Sequence, residues 1–280
     1  MDKKLVDLFI KNAIAEDVGD GDHTSLSTIP KDTQGKAKLI VKEDGVLAGV
    51  ELALEIFNQI DDTLTVEVFI QDGSPVHYGE IVLTVEGNTH SILLAERLVL
   101  NCMQRMSGIA TKTNTIVQLL RPYKTKVLDT RKTTPGMRYL EKWAVAIGGG
   151  VNHRIGLYDM ILIKDNHVDY AGGIANAIQA ANEYLKENNK KLAIEIEVRN
   201  LEELKAVLAE GSVDRIMLDN FDLPLLKEAV ELVDGKFLTE ASGGITEDNV
   251  AQYAACGVDY ISMGALTHSV KSLDLSLKAC

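Results

Sequence analysis

The chain has 280 residues, is 46% hydrophobic and carries a formal net charge of −12, with an isoelectric point near 5.0. That is enough apolar material for one large domain or two ordinary ones. The acidity excludes a general nucleic-acid binder, because affinity for a phosphate backbone needs an extended basic surface. No apolar run reaches the roughly 18 residues of a membrane span and none follows the lysines of Met1-Asp-Lys-Lys-Leu5, so no membrane is expected and the cytoplasm is the expected compartment. The cysteines Cys102, Cys256 and Cys280 are widely spaced and odd in number, which fits neither a disulfide framework nor a CxxC metal pair; they read as reduced thiols.

Residues 1–110 read as a separate α+β domain. An amphipathic helix near Leu5–Ile14 opens it. Gly19-Asp-Gly-Asp22-His23 lacks the Asp-x-Asp-x-Asp-Gly spacing and terminal Glu of a calcium loop and reads as a turn. Strands follow at Ala37–Lys42, Leu64–Ile70 and Ile81–Val85, punctuated by Gly45, Asp72-Gly73 and Gly87-Asn88. A long apolar helix, Ser91–Met106, carries the chain onward.

From Arg121 the rhythm changes to a short apolar run, a polar residue or glycine, then a helix-length amphipathic segment, which is the βα unit. The runs are Lys126–Thr130, Met160–Ile163, Ala193–Val198, Arg215–Leu218, Phe237–Thr239 and Tyr260–Met263. Ile174–Glu187, Leu201–Glu210, Leu223–Val233 and Glu247–Cys256 read as helices, with Gly211, Gly235 and Gly257 as stops. The succession predicts a parallel sheet closed or nearly closed into a βα barrel over residues 111–267, although periodicity alone also fits an open doubly wound sheet. The tail Leu273–Leu277 alternates like a half-buried strand, so 268–280 is expected to return to the first domain.

The polar residues favour the barrel. Arg131 with Lys132, Lys164, Glu197, Asp219, Ser242-Gly243-Gly244 and Gly264 each stand at a strand's carboxyl end, which a barrel brings to one mouth. Arg131, Lys132, His153, Arg154 and Lys164 concentrate positive charge in an acidic chain and point to an anionic ligand. Ser242–Gly244 and Gly264 offer open backbone N–H groups as a phosphate cradle, the first of them at a helix start. Glu197 and Asp219 suit sugar hydroxyls or Mg²⁺, or neutralise the cations opposite. Glu195 shares a face with Glu197, which leaves open which of the two matters. Lys164 fits either a Schiff-base nucleophile or a cation for a polycarboxylate. His153 has no second His or Cys at metal spacing, so zinc is not expected.

Asp129-Thr-Arg-Lys-Thr-Thr-Pro-Gly136, Gly148-Gly-Gly-Val-Asn-His-Arg154, Ile163-Lys-Asp-Asn-His167, Leu218-Asp-Asn-Phe221, Glu240-Ala-Ser-Gly-Gly-Ile-Thr246 and Ile261-Ser-Met-Gly264 together resemble the quinolinate phosphoribosyltransferase family. The resemblance runs over essentially the whole chain. It implies an N-terminal α/β sandwich, an incomplete, seven-stranded parallel βα barrel, and a homodimer, or a hexamer built further, with shared active sites. It implies that Arg97 comes from the partner and that Arg131, Lys132, His153, Arg154 and Lys164 bind the quinolinate carboxylates and the transferred groups. Glu197 and Asp219 would face the ribose and a Mg²⁺ bound with phosphoribosyl pyrophosphate, directly or through substrate and water, and Ser242, Gly243, Gly244 and Gly264 would take a phosphate. Lys132, Lys164, Glu197 and Asp219 are the expected catalytic residues. The implied reaction yields nicotinate mononucleotide, pyrophosphate and CO₂ for NAD synthesis, and its chemistry needs no Schiff base. The rival expectations are a related phosphoribosyltransferase of the same fold acting on another anionic heterocycle, and a non-catalytic binder of phosphorylated metabolites.

Overall fold

The computed structural model describes residues 3–280, which divide into two compact units. The chain up to Asn114, Thr133–Gly149 and Thr267–Cys280 form the first; Thr115–Lys132 and Gly150–Leu266 form the second. The segment 133–149, expected in the barrel, therefore groups with the N-terminal elements.

The first unit begins with α1 (Lys3–Val18) and α2 (His23–Thr28), the latter capped by Asp22, whose carboxylate accepts from the Thr24 and Ser25 N–H groups. Next come β1 (Gln34–Val41), β2 (Gly45–Val46), α3 (Val50–Ile60), β3 (Thr65–Val68), β4 (Pro75–Val76), β5 (Ile81–Asn88), α4 (Thr89–Leu120) and α5 (Arg138–Ile147). The tail supplies β12 (Leu275–Ala279), which pairs antiparallel with β1, so the sheet order is β12-β1-β5-β3. The return strand expected from the Leu273–Leu277 alternation is thus present.

Helix α4 runs well past Met106. It buries Ile92, Ala95, Val99, Met103, Met106 and Ile109 at three- and four-residue spacing, and Ser107-Gly108 does not break it. The Ser107 hydroxyl is taken up by the Ala48 backbone, accepting from its N–H and donating to its carbonyl. Gly108 is where the tail crosses: a Cβ there would run into the Lys271 carbonyl oxygen. Segment 133–149 is tied in by charge. Glu141 of α5 is fully buried and takes two bonds from Arg105 of α4, at 3.2 and 2.8 Å, and one from the Thr134 N–H at 3.1 Å. The same guanidinium donates to the Thr267 and Val270 carbonyls.

The second unit carries β6 (Lys126–Leu128), β7 (Ile161–Ile163), α6 (Asp165–Ala171), α7 (Ile174–Glu187), β8 (Ile194–Val198), α8 (Leu201–Glu210), β9 (Arg215–Asp219), α9 (Leu223–Val233), β10 (Leu238–Ser242), α10 (Val250–Ala255) and β11 (Tyr260–Ser262), with α11 (Ala265–His268) at its end. All the strand pairs are parallel, in the order β6-β11-β10-β9-β8-β7. First strand beside last is the order of a barrel interrupted between β6 and β7; a doubly wound sheet would reverse from an inner strand. The expected seventh strand is absent as a strand among the described residues: the sheet has six, and β6 gains only an isolated parallel bridge from Leu128 to Val151. The reason lies in the next residues, whose backbone donors go to side chains. The His153 N–H binds Asp129 at 2.8 Å, and those of Ile155 and Gly156 bind Asp159 at 2.7 and 2.8 Å, so these donors build no ladder.

Gly108→Ala sets a helix-propensity gain of about 1 kcal/mol against the collision with Lys271. Overpacking against backbone costs about 1–3 kcal/mol, so chemical denaturation should find the variant destabilised. Stabilisation would show that the tail yields freely.

Candidate active site

Side chains alternate along a strand, so parity sorts each strand into two faces. On β8, Ile194, Ile196 and Val198 take one face while Glu195 and Glu197 take the other, and every one of them is buried. The parallel register sets Glu195 level with Arg215, and Glu197 level with Met217 and through it Glu240; Asp219 lies level with Ser242. One face of this sheet therefore carries Glu195, Arg215, Glu197, Glu240 and Asp219, and their contacts sort them into two groups, Glu195 and Glu240 with Arg215 in a lower layer and Glu197 with Asp219 in an upper one.

The upper layer is at the strand ends. Lys164, the residue before α6, holds its Nζ 3.4 Å from Glu197, with the lysine side chain 48% exposed and the carboxylate nearly covered. Burial pushes the Glu197 carboxyl up and the Asp219 charge adds to this, while Lys164 opposes it. Asp219 accepts from the Asn220 amide at 2.6 Å, and the Asn220 N–H reaches the Ser242 carbonyl at 2.8 Å, which joins the ends of β9 and β10. Gly243 sits in the left-handed region (φ 98°) because a Cβ there would collide with the Asn220 side chain. Gly244 follows with φ 63° and open space around it.

The turn continues through Thr246, whose N–H binds Asn249 at 2.8 Å, and α10 starts only at Val250. The expectation of a helix opening at Glu247, directly after the glycines, is corrected accordingly: the glycines form a turn held by Asn220 and Asn249 ahead of the helix. Gly264 stands between β11 and α11.

Arg131 and Arg154 are close enough for their charges to interact. Burial pushes the Arg154 guanidinium down, and the Arg131 charge pushes the same way. Lys132 is exposed one residue on. The second unit thus holds Arg131, Lys132, Arg154, Lys164, Glu197, Asp219, Ser242 and both glycines, whereas Arg97 stands exposed on α4 of the first unit.

His153 does not join the exposed cations. Its side chain is 7% exposed and turns inward, with Nε2 2.9 Å from Glu195 and 3.5 Å from Glu240. Arg215 lies 3.0 Å from the same Glu240 oxygen and 3.8 Å from Glu195. Glu195 and Glu240 are fully buried. Sequence reasoning misses this lower layer, except for Glu195 as a rival to Glu197. The available signal is a charged residue two positions before the strand-end polar one in two of the strands, Glu195 before Glu197 and Glu240 before Ser242.

Two domain profiles cover nearly the whole chain: "Quinolinate phosphoribosyl transferase, N-terminal domain" matches residues 22–107 and "Quinolinate phosphoribosyl transferase, C-terminal domain" matches residues 109–278. The chain belongs to the quinolinate phosphoribosyltransferase family. It is 52% identical to the chloroplastic nicotinate-nucleotide pyrophosphorylase [carboxylating] of Arabidopsis thaliana, over 96% of this chain and 81% of that one. It is 42% identical to the probable nicotinate-nucleotide pyrophosphorylase [carboxylating] of Bacillus subtilis, over 98% and 92%. The nicotinate-nucleotide pyrophosphorylase structure from Francisella tularensis superposes with a TM-score of 0.93 at 41% identity, over 100% and 98% of the two chains.

The glycine pair offers a controlled comparison. Gly243→Ala must displace Asn220 as well as adopt a strained φ, and should cost about 2–4 kcal/mol in unfolding free energy, since strain and overpacking add. Gly244→Ala meets only the left-handed backbone penalty of about 1–2 kcal/mol. Equal losses would show that the Asn220 contact contributes nothing.

Proposed function

We propose that this chain transfers the phosphoribosyl group of phosphoribosyl pyrophosphate to quinolinate and decarboxylates the adduct, giving nicotinate mononucleotide, pyrophosphate and CO₂ in NAD synthesis. Family membership along the whole chain supports the reaction, and one observation carries its placement: the Glu197 and Asp219 carboxylates stand at adjacent strand ends beside Lys164 and the Ser242–Gly244 turn.

As pyrophosphate departs, positive charge develops at the anomeric carbon, and preorganised carboxylates on that side lower the barrier. Arg131, Lys132, Arg154 and Lys164 pair with the two quinolinate carboxylates and the transferred groups by charge-assisted bonds. The pyridine nitrogen attacks the anomeric carbon and becomes cationic. The C2–carboxylate bond then breaks, its electron pair stays at C2 beside the positive nitrogen, and a proton replaces CO₂. Lys164 lies half exposed against a carboxylate rather than in the apolar pocket a Schiff-base lysine needs, so its role is electrostatic.

Magnesium fits the same corner. Glu197 and Asp219 present hard oxygen donors whose mutual repulsion a divalent cation relieves, directly or through substrate and water. Bound there with the pyrophosphate, it would neutralise the leaving group. Arg97, exposed on α4, fits the role of a cation supplied to a partner's site in a homodimer or a larger hexamer. No described helix is long and apolar enough to cross a membrane. The three cysteines are free, which supports a reducing compartment such as the cytoplasm.

The deciding assay mixes the protein with quinolinate, phosphoribosyl pyrophosphate and Mg²⁺ and follows CO₂ and nucleotide; no turnover by folded protein rejects the reading. In the same assay Glu197→Gln should lower kcat about 100- to 1,000-fold while quinolinate binding, followed by calorimetry, persists. Unchanged kcat would favour a non-catalytic role for the carboxylate. For the shared site, inactive Arg97→Ala mixed with inactive Lys164→Ala should regain partial activity. Failure despite demonstrated subunit exchange would place Arg97 outside the partner's site.

A further inference from the structure

We propose that Glu240, together with Glu195, positions the Val151–Arg154 segment through the His153 imidazole, and so fixes where the Arg154 guanidinium stands against a substrate carboxylate. The inference rests on the reading that Arg154 meets quinolinate. It gives the buried lower layer a task and assigns His153 to positioning rather than to substrate contact.

Val151 makes one bridge to β6, and no ladder among the described residues extends beyond it. The residues after Val151 are held by the Asp129 carboxylate on the His153 N–H and by the imidazole itself. The ring meets protein at both nitrogens. Nδ1 accepts from the Arg154 N–H at 2.7 Å, and Nε2 faces Glu195 at 2.9 Å and Glu240 at 3.5 Å. With both nitrogens committed to protein and the side chain 7% exposed, little of the ring is open to a ligand.

Charge explains why the grip is firm. Two fully buried carboxylates cannot stay uncompensated. Arg215, stacked on the Tyr260 ring at 4.4 Å, answers Glu240 at 3.0 Å, and the imidazole answers Glu195. Ser262 adds a hydrogen bond to Glu240. Burial pushes the imidazole down, while Glu195 and Glu240 push it up. A second ring proton belongs on Nδ1, where Arg154 already donates, so the proton these carboxylates hold is the one on Nε2. His153 therefore cannot turn toward the strand ends without stranding a buried charge, and Arg154, next in the chain, inherits that fixed position. Its Nη1 is steadied by the Met160 carbonyl at 3.3 Å.

The test is steady-state kinetics of the full-length enzyme. Glu240→Gln keeps the shape and removes the charge. We expect the quinolinate KM to rise about tenfold, since a misplacement of ~1 Å can cost up to about 100-fold, with the phosphoribosyl pyrophosphate KM unchanged. His153→Asn should do the same, and the double variant should be no worse than the poorer single one, because both break one linkage. If both KM values move together, if the two effects multiply, or if Glu240→Gln is kinetically normal, the inference is overturned. Arg154→Ala separates the two levels. An unchanged quinolinate KM there overturns the site reading and the inference with it; a raised one alongside a normal Glu240→Gln overturns the inference alone. Should Glu240→Gln fail to fold, Glu195→Gln, which removes the charge on the other side of the same ring, carries the test.

Discussion

A parallel sheet that lines its inner face with carboxylates must neutralise them where water cannot, and the second unit solves this in two layers. In the lower one Glu195 and Glu240 are fully buried and matched by Arg215 and His153 from within the protein. In the upper one Lys164, half exposed, is the counter-ion of Glu197, whose carboxyl burial and the Asp219 charge hold up. Charge closed off below and left open above suits strand ends proposed to meet a charged substrate over a rigid sheet. The spacing follows from the strand period alone: Glu195 and Glu197 differ by two residues and therefore share a face.

The first unit uses the same device for a different end. Arg105 on α4 spreads its donors over Glu141 of α5 and the carbonyls of Thr267 and Val270, so one guanidinium ties three stretches of chain that are remote in sequence. Because Glu141 is fully buried, the pair is unforgiving: a partner left alone is a charge without water. That explains why 133–149 packs with the N-terminal elements although it lies between two strands of the other unit.

Local pattern made much of this legible. Each of the six barrel-type strands is a short, largely apolar run with a polar residue or glycine at its end, and that pattern makes each readable. The strand-end residues Lys164, Glu197, Asp219 and Ser242 were readable for the same reason. What escaped depends on partners distant in sequence. The seventh strand that the resemblance implies stops at a single bridge at Val151, because Asp129 and Asp159 take backbone donors of the residues that follow. The long helix expected to end at Met106 continues through Gly108, where the absent side chain leaves room for the tail at Lys271. His153 reads as one more cation among Arg131 and Arg154, and only Glu195 and Glu240, on other strands, turn it inward. The family's motifs identified the chemistry; they carried no information on which of their residues touch substrate and which hold the others in place.

The pairing of β12 with β1 also bears on how the chain reaches this state. Ala37 lies against Ala279, and without the tail β1 would be an edge of its sheet. Until residues 275–279 have been made, a polypeptide emerging from the ribosome therefore exposes β1 as an unpaired edge of its first unit. Such non-local closure slows folding and leaves an edge open to other chains meanwhile. The alternation of Leu273, Leu275 and Leu277 is then as much a safeguard for the nascent protein as a part of its finished sheet.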